Sequence, residues 1–231
     1  MADTVTVDFS KPVPLFPLQQ VVVLPHAAAP LHIFEDRYRA MLSRVLDSAG
    51  LIAMATFSGE SWKEDYAGNP DLRPHVCLGY VARHERLDDG RYNLILQGLA
   101  RARIREELEP HDDGYRLALL EPTEPRTDEP VDDQPLRQQL EDLLADEQLR
   151  SLAAVNSVDD WLTDEIPTTA AVDLTAAVFC RDNEQRYSLL AEPDPIKRTR
   201  FIIQLLRQTR DTLVRAENQG LPTDDDGHPL N

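Results

Sequence analysis

The stretch VPLFPLQQVVVLPHAAAPLHIFEDRYRAML, residues 13–42, changes character along its length. Its first part carries four prolines among short apolar runs, a spacing that punctuates strands and protects sheet edges from pairing. Further on, apolar residues recur at helical spacing, and the stripe comprises Tyr38, Met41, Leu42, Val45 and Leu46. Gly50 follows where a helix commonly stops. The stretch therefore predicts strands that lead into one helix covering a sheet.

Short strand-like runs separated by turn signals follow this helix. They are LIAMATF at 51–57, HVCLGYVARHERL at 75–87, YNLILQGL at 92–99, ARARIREELE at 100–109 and YRLALLE at 115–121. The LDDGR sequence places Gly90, which can adopt a positive φ, between two of them and predicts a hairpin. The pattern therefore predicts a β-rich subdomain over residues 1–122.

The composition changes after this region. Residues 123–134 are rich in proline and acidic side chains, which is typical of a linker. Helical periodicity predicts a helical subdomain over 135–218, and 219–231 is predicted to be a disordered tail. In the last helix, Asp194 is the predicted N-cap and Pro195 the first residue. The predicted buried stripe of that helix is Ile196, Ile202, Ile203, Leu206, Leu213 and Val214.

Charge and composition exclude several classes of protein. The net charge is −17 at pH 7, which disfavours nucleic acid as a partner because phosphate binding depends on Lys and Arg. The sequence contains neither a membrane-spanning apolar stretch nor the pattern of a secretory signal. We therefore expect no membrane partner and a cytoplasmic location, with Cys77 and Cys180 reduced.

No catalytic centre is predicted. ATP hydrolysis needs a glycine-rich loop with Lys and Ser or Thr, and none of the three lysines lies in such a loop. Ser58, Ser61 and Lys63 suggest a Ser-Lys dyad, but the acidic residues around this lysine favour its charged form, which is not a base. A hydrolase with an unrecognised site is the least favoured alternative.

No metal or cofactor site is predicted either. His75 and Cys77 share one side of a predicted strand, and His26 and His32 lie upstream. Zinc sites normally bring four such ligands together at characteristic spacings, and these residues lack the spacings. We interpret them as ordinary strand and core residues.

Three arginines alternate along one predicted strand. Arg101, Arg103 and Arg105 share one parity, opposite to Ala102 and Ile104, as in a strand with one solvated face. The main interpretation is a solvated face. As an alternative, the three side chains form a candidate face for an anion or an acidic peptide.

Several motifs together resemble one known family. The opening run PLFPLQQVVVLPHAAAPLHIFEDRYRAML, the segment GRYNLILQGLARARI at 90–104 and the final LLAEPDPIKRTRFIIQLLRQTRDTL resemble, in order, the N-terminal substrate-binding domain of Lon proteases. The resemblance implies an α+β fold: a PUA-like pseudo-barrel with one helix at about 35–48, followed by a helical bundle. Lon continues into ATPase and protease modules, so this chain is expected to be a stand-alone member without them.

The resemblance implies a non-enzymatic module that binds proteins or peptides, as an adaptor or regulator in protein quality control. The expected partners are unfolded or specific polypeptides, with a separate Lon protease as a further candidate. The candidate binding surface comprises Val23, Leu24, Pro25 and Pro30, whereas Leu31, Phe34 and Tyr38 are assigned to the core. RNA binding is the alternative function, because PUA-like folds are associated with RNA, and a continuous basic patch across Arg101, Arg103, Arg105 and Arg116 would support it.

Overall fold

The computed structural model describes residues 7–66, 68–124, 133–152 and 166–219. The chain divides into two compact units. The first comprises Met1–Pro125 with Arg186–Pro193, and the second comprises Arg126–Gln185 with Asp194–Asn231. The unit boundaries differ from the predicted subdomains in one respect, since a short segment near residue 190 groups with the sheet.

The first unit is built on one mixed sheet. Its strands are β1 (Val13–Leu18), β2 (Ala28–Ile33), β3 (Leu51–Thr56), β4 (His75–Arg86), β5 (Tyr92–Leu108) and β6 (Arg116–Pro122). Their order is β2-β5-β4-β3-β1-β6, and β6 also pairs with β5, so the sheet closes on itself. The pair β1–β3 is parallel and the other pairs are antiparallel. The α+β class and the barrel-like sheet predicted from the sequence are confirmed.

Alternate residues of the strands fill the interior of the closed sheet. The cluster consists of small and medium apolar side chains: Val13, Leu15, Ala53, Ala55, Val76, Leu78, Ala102, Ala118 and Leu120. Small residues suit this position because a narrow closed sheet leaves little room inside. The closed part is therefore a packed core.

Helix α1 (Asp36–Leu46) confirms the helix predicted by the opening stretch. It buries Tyr38, Met41, Leu42 and Val45, and the Tyr38 ring meets Phe16 of β1 edge to face with 4.6 Å between centroids. Gly50 has a φ of +72°, and its amide donates to the Val45 carbonyl, which closes the turn that follows the helix. The α1 helix therefore covers the outer side of the sheet next to β1.

The strands predicted at 92–99 and 100–109 form one continuous strand, β5. Gly98, near the end of the first predicted strand, does not form a turn and serves as a close-approach position instead. A Cβ at Gly98 would lie 2.2 Å from the carbonyl oxygen of Leu24. Register shifts lie between Leu78 and Gly79, between Val81 and Arg83, and between Ile104 and Glu106.

The second unit contains α2 (Gln134–Leu144), α3 (Glu147–Arg150), α4 (Thr168–Phe179) and α6 (Pro195–Asn218). The predicted cap of α6 is confirmed: Asp194 Oδ1 accepts from the backbone N of Ile196 at 2.9 Å, with Pro195 opening the helix. Ile202, Ile203, Leu206 and Leu213 are buried as predicted, but Val214 is 37% exposed, because Ala216 continues the buried stripe after Leu213. Ile196 is half-buried.

Helix α5 (Asn183–Ala191) carries the segment that returns to the sheet. The Tyr187 hydroxyl accepts from the backbone N of His75 at 2.9 Å, and the Arg73 guanidinium lies 3.3 Å from the centre of the Tyr187 ring. These contacts explain why Arg186–Pro193 groups with the first unit and not with the predicted helical subdomain at 135–218. Most of the predicted linker and all but one residue of the predicted tail lie outside the described residues.

Candidate functional site

Strands β4 and β5 extend beyond the closed part of the sheet. Strand β3 pairs with β4 only up to Tyr80, and β6 pairs with β5 only from Ala102 onward. The remaining ends of β4 and β5 form a three-stranded extension with β2. Within it, Pro30 lies beside Ile95, which lies beside Arg83. In the next row the neighbours are His32, Asn93 and Glu85.

One side of this extension forms the open face, which we define as Pro30, His32, Phe34, Arg83, Glu85, Asn93 and Ile95. A groove of about 470 Å³ lies along it. Its lining residues are Pro30, Leu31, His32, Arg83, His84, Glu85, Asn93, Leu94 and Ile95. Apolar side chains thus lie beside both a cation and an anion, a composition that suits a polypeptide with mixed side chains.

Phe34 is the exposed aromatic residue of the open face. Its side chain is 61% exposed, and its ring stacks on His32 with 6.1 Å between centroids. The sequence prediction that Phe34 belongs to the core is wrong, because its neighbour Ile33 is the buried residue, at 2% exposure. Strand parity therefore turns Phe34 to the same side as His32 and Pro30. The tight burial of Ile33, Tyr92 and Leu94 on the opposite side keeps the extension rigid.

A chain of polar contacts fixes His32. Its Nδ1 lies 2.7 Å from Asn93 Oδ1, and its Nε2 lies 3.3 Å from Arg91 Nη1. A neutral imidazole with the proton on Nδ1 satisfies both contacts. Arg91 in turn pairs with Asp89 at 2.6 Å, and its hydrogen bonds lower the pKa of the Asp89 carboxyl. The ring against which Phe34 stacks is therefore held in one orientation.

Three of the four predicted surface residues are buried. Val23 and Leu24 are 4% and 1% exposed, and Pro25 is also buried. The cause is the crossing of this segment over β5 at Gly98, where Gly98 N donates to the Ala27 carbonyl at 2.8 Å. The prediction of these three residues as a binding surface is wrong.

Pro30, the fourth predicted residue, is exposed on the open face. Among the described strands, β2 ends the strand order and keeps one edge unpaired. The Ala27 carbonyl points toward β5, so strand alternation turns Ala29 and Leu31 toward β5 and Pro30 toward the unpaired edge. Because proline has no N–H, this edge is a poor template for an added strand. A partner therefore meets the side chains of the open face more readily than the backbone of β2.

The predicted face of three arginines does not form. Arg101 is 1% exposed, contacting Glu124 at 3.0 Å and the Leu189 carbonyl at 3.2 Å. Arg103 pairs with Glu121 at 3.2 Å. Arg105 is exposed, but a register shift next to it interrupts the alternation. The prediction of a shared anion face is wrong, because α5 covers Arg101.

The same contacts bear on RNA binding. Arg116, the fourth arginine of a possible basic patch, is buried, with Nε 2.9 Å from Glu107 and Nη1 2.6 Å from the Pro70 carbonyl. Arg101 and Arg103 also face carboxylates. A continuous basic patch, the condition for the RNA alternative, is not present at these residues.

Among the residues considered for catalysis, Lys63 contacts a carboxylate. Lys63 Nζ lies 2.6 Å from Glu60, and the hydrogen bond from Lys63 lowers the pKa of the Glu60 carboxyl. The lysine is half-exposed and pairs with this carboxylate. The described parts of the chain contain no cluster of three or more His, Cys, Asp or Glu side chains that could hold a metal ion.

Nor does any helix within the described ranges have both the length and the apolar character needed to cross a bilayer.

The sequence is similar to known proteins along most of its length. The profile described as "ATP-dependent protease La (LON) substrate-binding domain" matches residues 12–208. A Lon protease of Desulfovibrio desulfuricans is 27% identical over 214 residues, which cover 89% of this chain and 23% of that protein. A Lon protease of Desulfosudis oleivorans is 31% identical over 93 residues, 40% of this chain and 11% of that protein. The matched region thus spans less than a quarter of these relatives.

Solved structures agree on the fold. A Lon N-terminal domain protein from Xanthomonas campestris has a TM-score of 0.58 at 21% identity, covering 84% of this chain and 98% of that one. The N-terminal domain of Lon protease from the Mycobacterium avium complex has a TM-score of 0.64 at 20% identity, with coverages of 85% and 98%. With the profile match over residues 12–208, these findings show that the chain belongs to the Lon substrate-binding domain family.

Proposed function

We propose that this protein is a non-catalytic module that binds polypeptides through its open face. The observation that carries the proposal is the exposed Phe34, held on a rigid extension in a chain of the substrate-binding domain family. Exposed aromatic residues on a fixed scaffold are the usual anchors of protein contacts. Phe34 stacks on an oriented His32 and loses little conformational freedom when a partner covers it.

The composition of the open face favours contacts with many sequences. Phe34, Ile95 and Pro30 offer apolar surface, while Arg83 and Glu85 can pair with either sign of charge. Burying one aromatic side chain contributes about 2 kcal/mol, so a single anchor gives weak, reversible binding. Such binding suits recognition of unfolded segments, which expose apolar residues that folded proteins bury.

The proposed role is that of an adaptor or regulator in protein quality control in the cytoplasm. Its partners would be unfolded or specific polypeptides, and a separate Lon protease is a further proposed partner. The absence of a phosphate-binding loop from the printed sequence supports a role without ATP hydrolysis. The ion pair of Lys63 supports a role without Ser-Lys proteolysis.

The test is binding of a fluorescein-labelled, permanently unfolded protein, such as reduced and carboxymethylated α-lactalbumin, measured by fluorescence anisotropy. We expect Phe34→Ala to weaken binding about tenfold, because the main apolar anchor is lost. Val21→Ala is the control, since Val21 is an exposed apolar residue of the same unit outside the open face. Equal affinities of Phe34→Ala and the unmodified protein would show that the open face is not the binding site.

A further inference from the structure

A second groove lies between α2 and α6, entirely within the second unit. Its volume is about 370 Å³. Leu136 of α2 and the buried Ile203 of α6 supply apolar surface. The polar residues that line it are Gln139, Arg200, Gln204 and Arg207.

The groove is positively charged although the protein carries a net charge of −17. Within the described ranges, neither Arg200 nor Arg207 forms an ion pair, and Arg207 Nη2 contacts only the neutral amide oxygen of Gln139, at 2.9 Å. Nearby carboxylates have other partners: Glu141 pairs with Arg137 at 2.7 Å, and Asp211 pairs with Arg210 at 3.0 Å. Two guanidinium groups are thus available to carboxylates from outside the protein.

The spacing of the two arginines suggests the shape of the partner. Seven residues of an α-helix correspond to about 10.5 Å and two turns, so Arg200 and Arg207 lie on one side of α6. A second helix with carboxylates seven residues apart has the same spacing. Aliphatic side chains midway between those carboxylates would then face Leu136 and Ile203.

We infer that this groove binds an acidic amphipathic helix of another polypeptide. The site is separate from the open face and does not depend on the function proposed for it. Nucleic acid fits less well, because a phosphate backbone gains nothing from the apolar floor and two cations neutralise few phosphates. The expected partner is therefore a helix that carries two carboxylates on one face, with aliphatic side chains between them.

The experiment measures binding of a defined probe to the full chain by fluorescence anisotropy at low ionic strength. The probe is a fluorescein-labelled, alanine-rich helical peptide of about 18 residues. It carries two glutamates seven residues apart with two leucines between them. We expect the double variant Arg200→Gln/Arg207→Gln to bind it about tenfold more weakly than the unmodified protein. A probe with glutamine in place of both glutamates should show a similar loss.

The matched control is Arg105→Gln/Arg215→Gln, which removes two exposed charges outside the groove and should change the affinity less than about twofold. Phe34→Ala should leave this binding unchanged, which separates the two sites. The inference is overturned if the unmodified protein fails to bind the probe at about 1 mM, or if both double variants bind equally. It is also overturned if an RNA oligonucleotide or inorganic phosphate displaces the probe better than unlabelled peptide does.

Discussion

Strand β4 has one part inside the closed sheet and one part in the extension, and the two parts differ in exposure. In the closed part, Val76, Cys77 and Leu78 are all fully buried, so both sides of β4 are covered. In the extension, every residue of 82–86 is exposed. The same strand therefore contributes to the core at one end and to an accessible face at the other.

The difference indicates which part of the strand stabilises the fold and which part is free for the proposed binding. Side chains covered on both sides of the sheet contribute fully to the hydrophobic stabilisation of the first unit. The open face contributes little to that stabilisation, so its side chains can serve a partner. This division predicts that equivalent substitutions have unequal effects in the two parts.

The largest difference in the free energy of unfolding is expected between substitutions of two aliphatic residues in the paired strands. Leu78→Ala, in the closed part, should lower the free energy of unfolding by about 3 kcal/mol, because it removes fully buried methyl groups and leaves a cavity. Ile95→Ala, on the half-buried open face, should cost about 1 kcal/mol or less. Urea unfolding followed by circular dichroism measures both. Similar losses would contradict the division of the sheet into a core and the proposed binding face.

A smaller difference in the free energy of unfolding is expected between substitutions of two arginines of β5. Arg101→Ala should lower the free energy of unfolding by about 2 kcal/mol. It breaks the ion pair with Glu124 and removes the hydrogen bond that Arg101 donates to the Leu189 carbonyl. Arg103→Ala should cost less than about 0.5 kcal/mol, because its pair with Glu121 is exposed to solvent. Urea midpoints of the two variants provide the comparison. If Arg103→Ala were the more destabilising, the proposed role of the α5 cover would be wrong.

Local patterns allowed part of this architecture to be predicted from the sequence. The helical stripe of α1 and the Asp194 cap depend on residues a few positions apart, so the pattern was sufficient. The burial of Arg101 depends on Leu189, 88 positions away, and strand alternation contains no information about that contact. The close approach of Gly98 to Leu24 also joins residues far apart in the sequence, so local patterns predict Leu24 at the surface and miss its burial.

The candidate site was predictable only in part for a related reason. Pro30 is predicted as an apolar residue of the binding surface, and it is exposed on β2. An aromatic residue beside an apolar run is usually buried, so the sequence alone favours a core position for Phe34. Only the pairing of β2 with β5 establishes that Ile33 faces inward, and with it that Phe34 faces outward.

The smallest expected effect concerns the pH dependence of stability at the start of β4. Burial lowers the pKa of His75 below its usual value of 6.5, and the charges of Arg103 and Arg73 lower it further. The unfolded chain therefore binds a proton at His75 before the folded protein does, and stability falls as the pH decreases below about 6.5. Above that pH the imidazole is neutral in both states and has no effect.

His75→Gln should accordingly show a smaller loss of stability than the unmodified protein between about pH 7 and pH 5. Arg103→Ala should reduce the pH dependence in the same direction but by less, because burial of His75 has the larger influence on its pKa. Urea midpoints measured across this range test both expectations. A steeper loss in His75→Gln would mean that the folded protein favours the charged imidazole, since only a raised pKa makes protonation stabilise the fold.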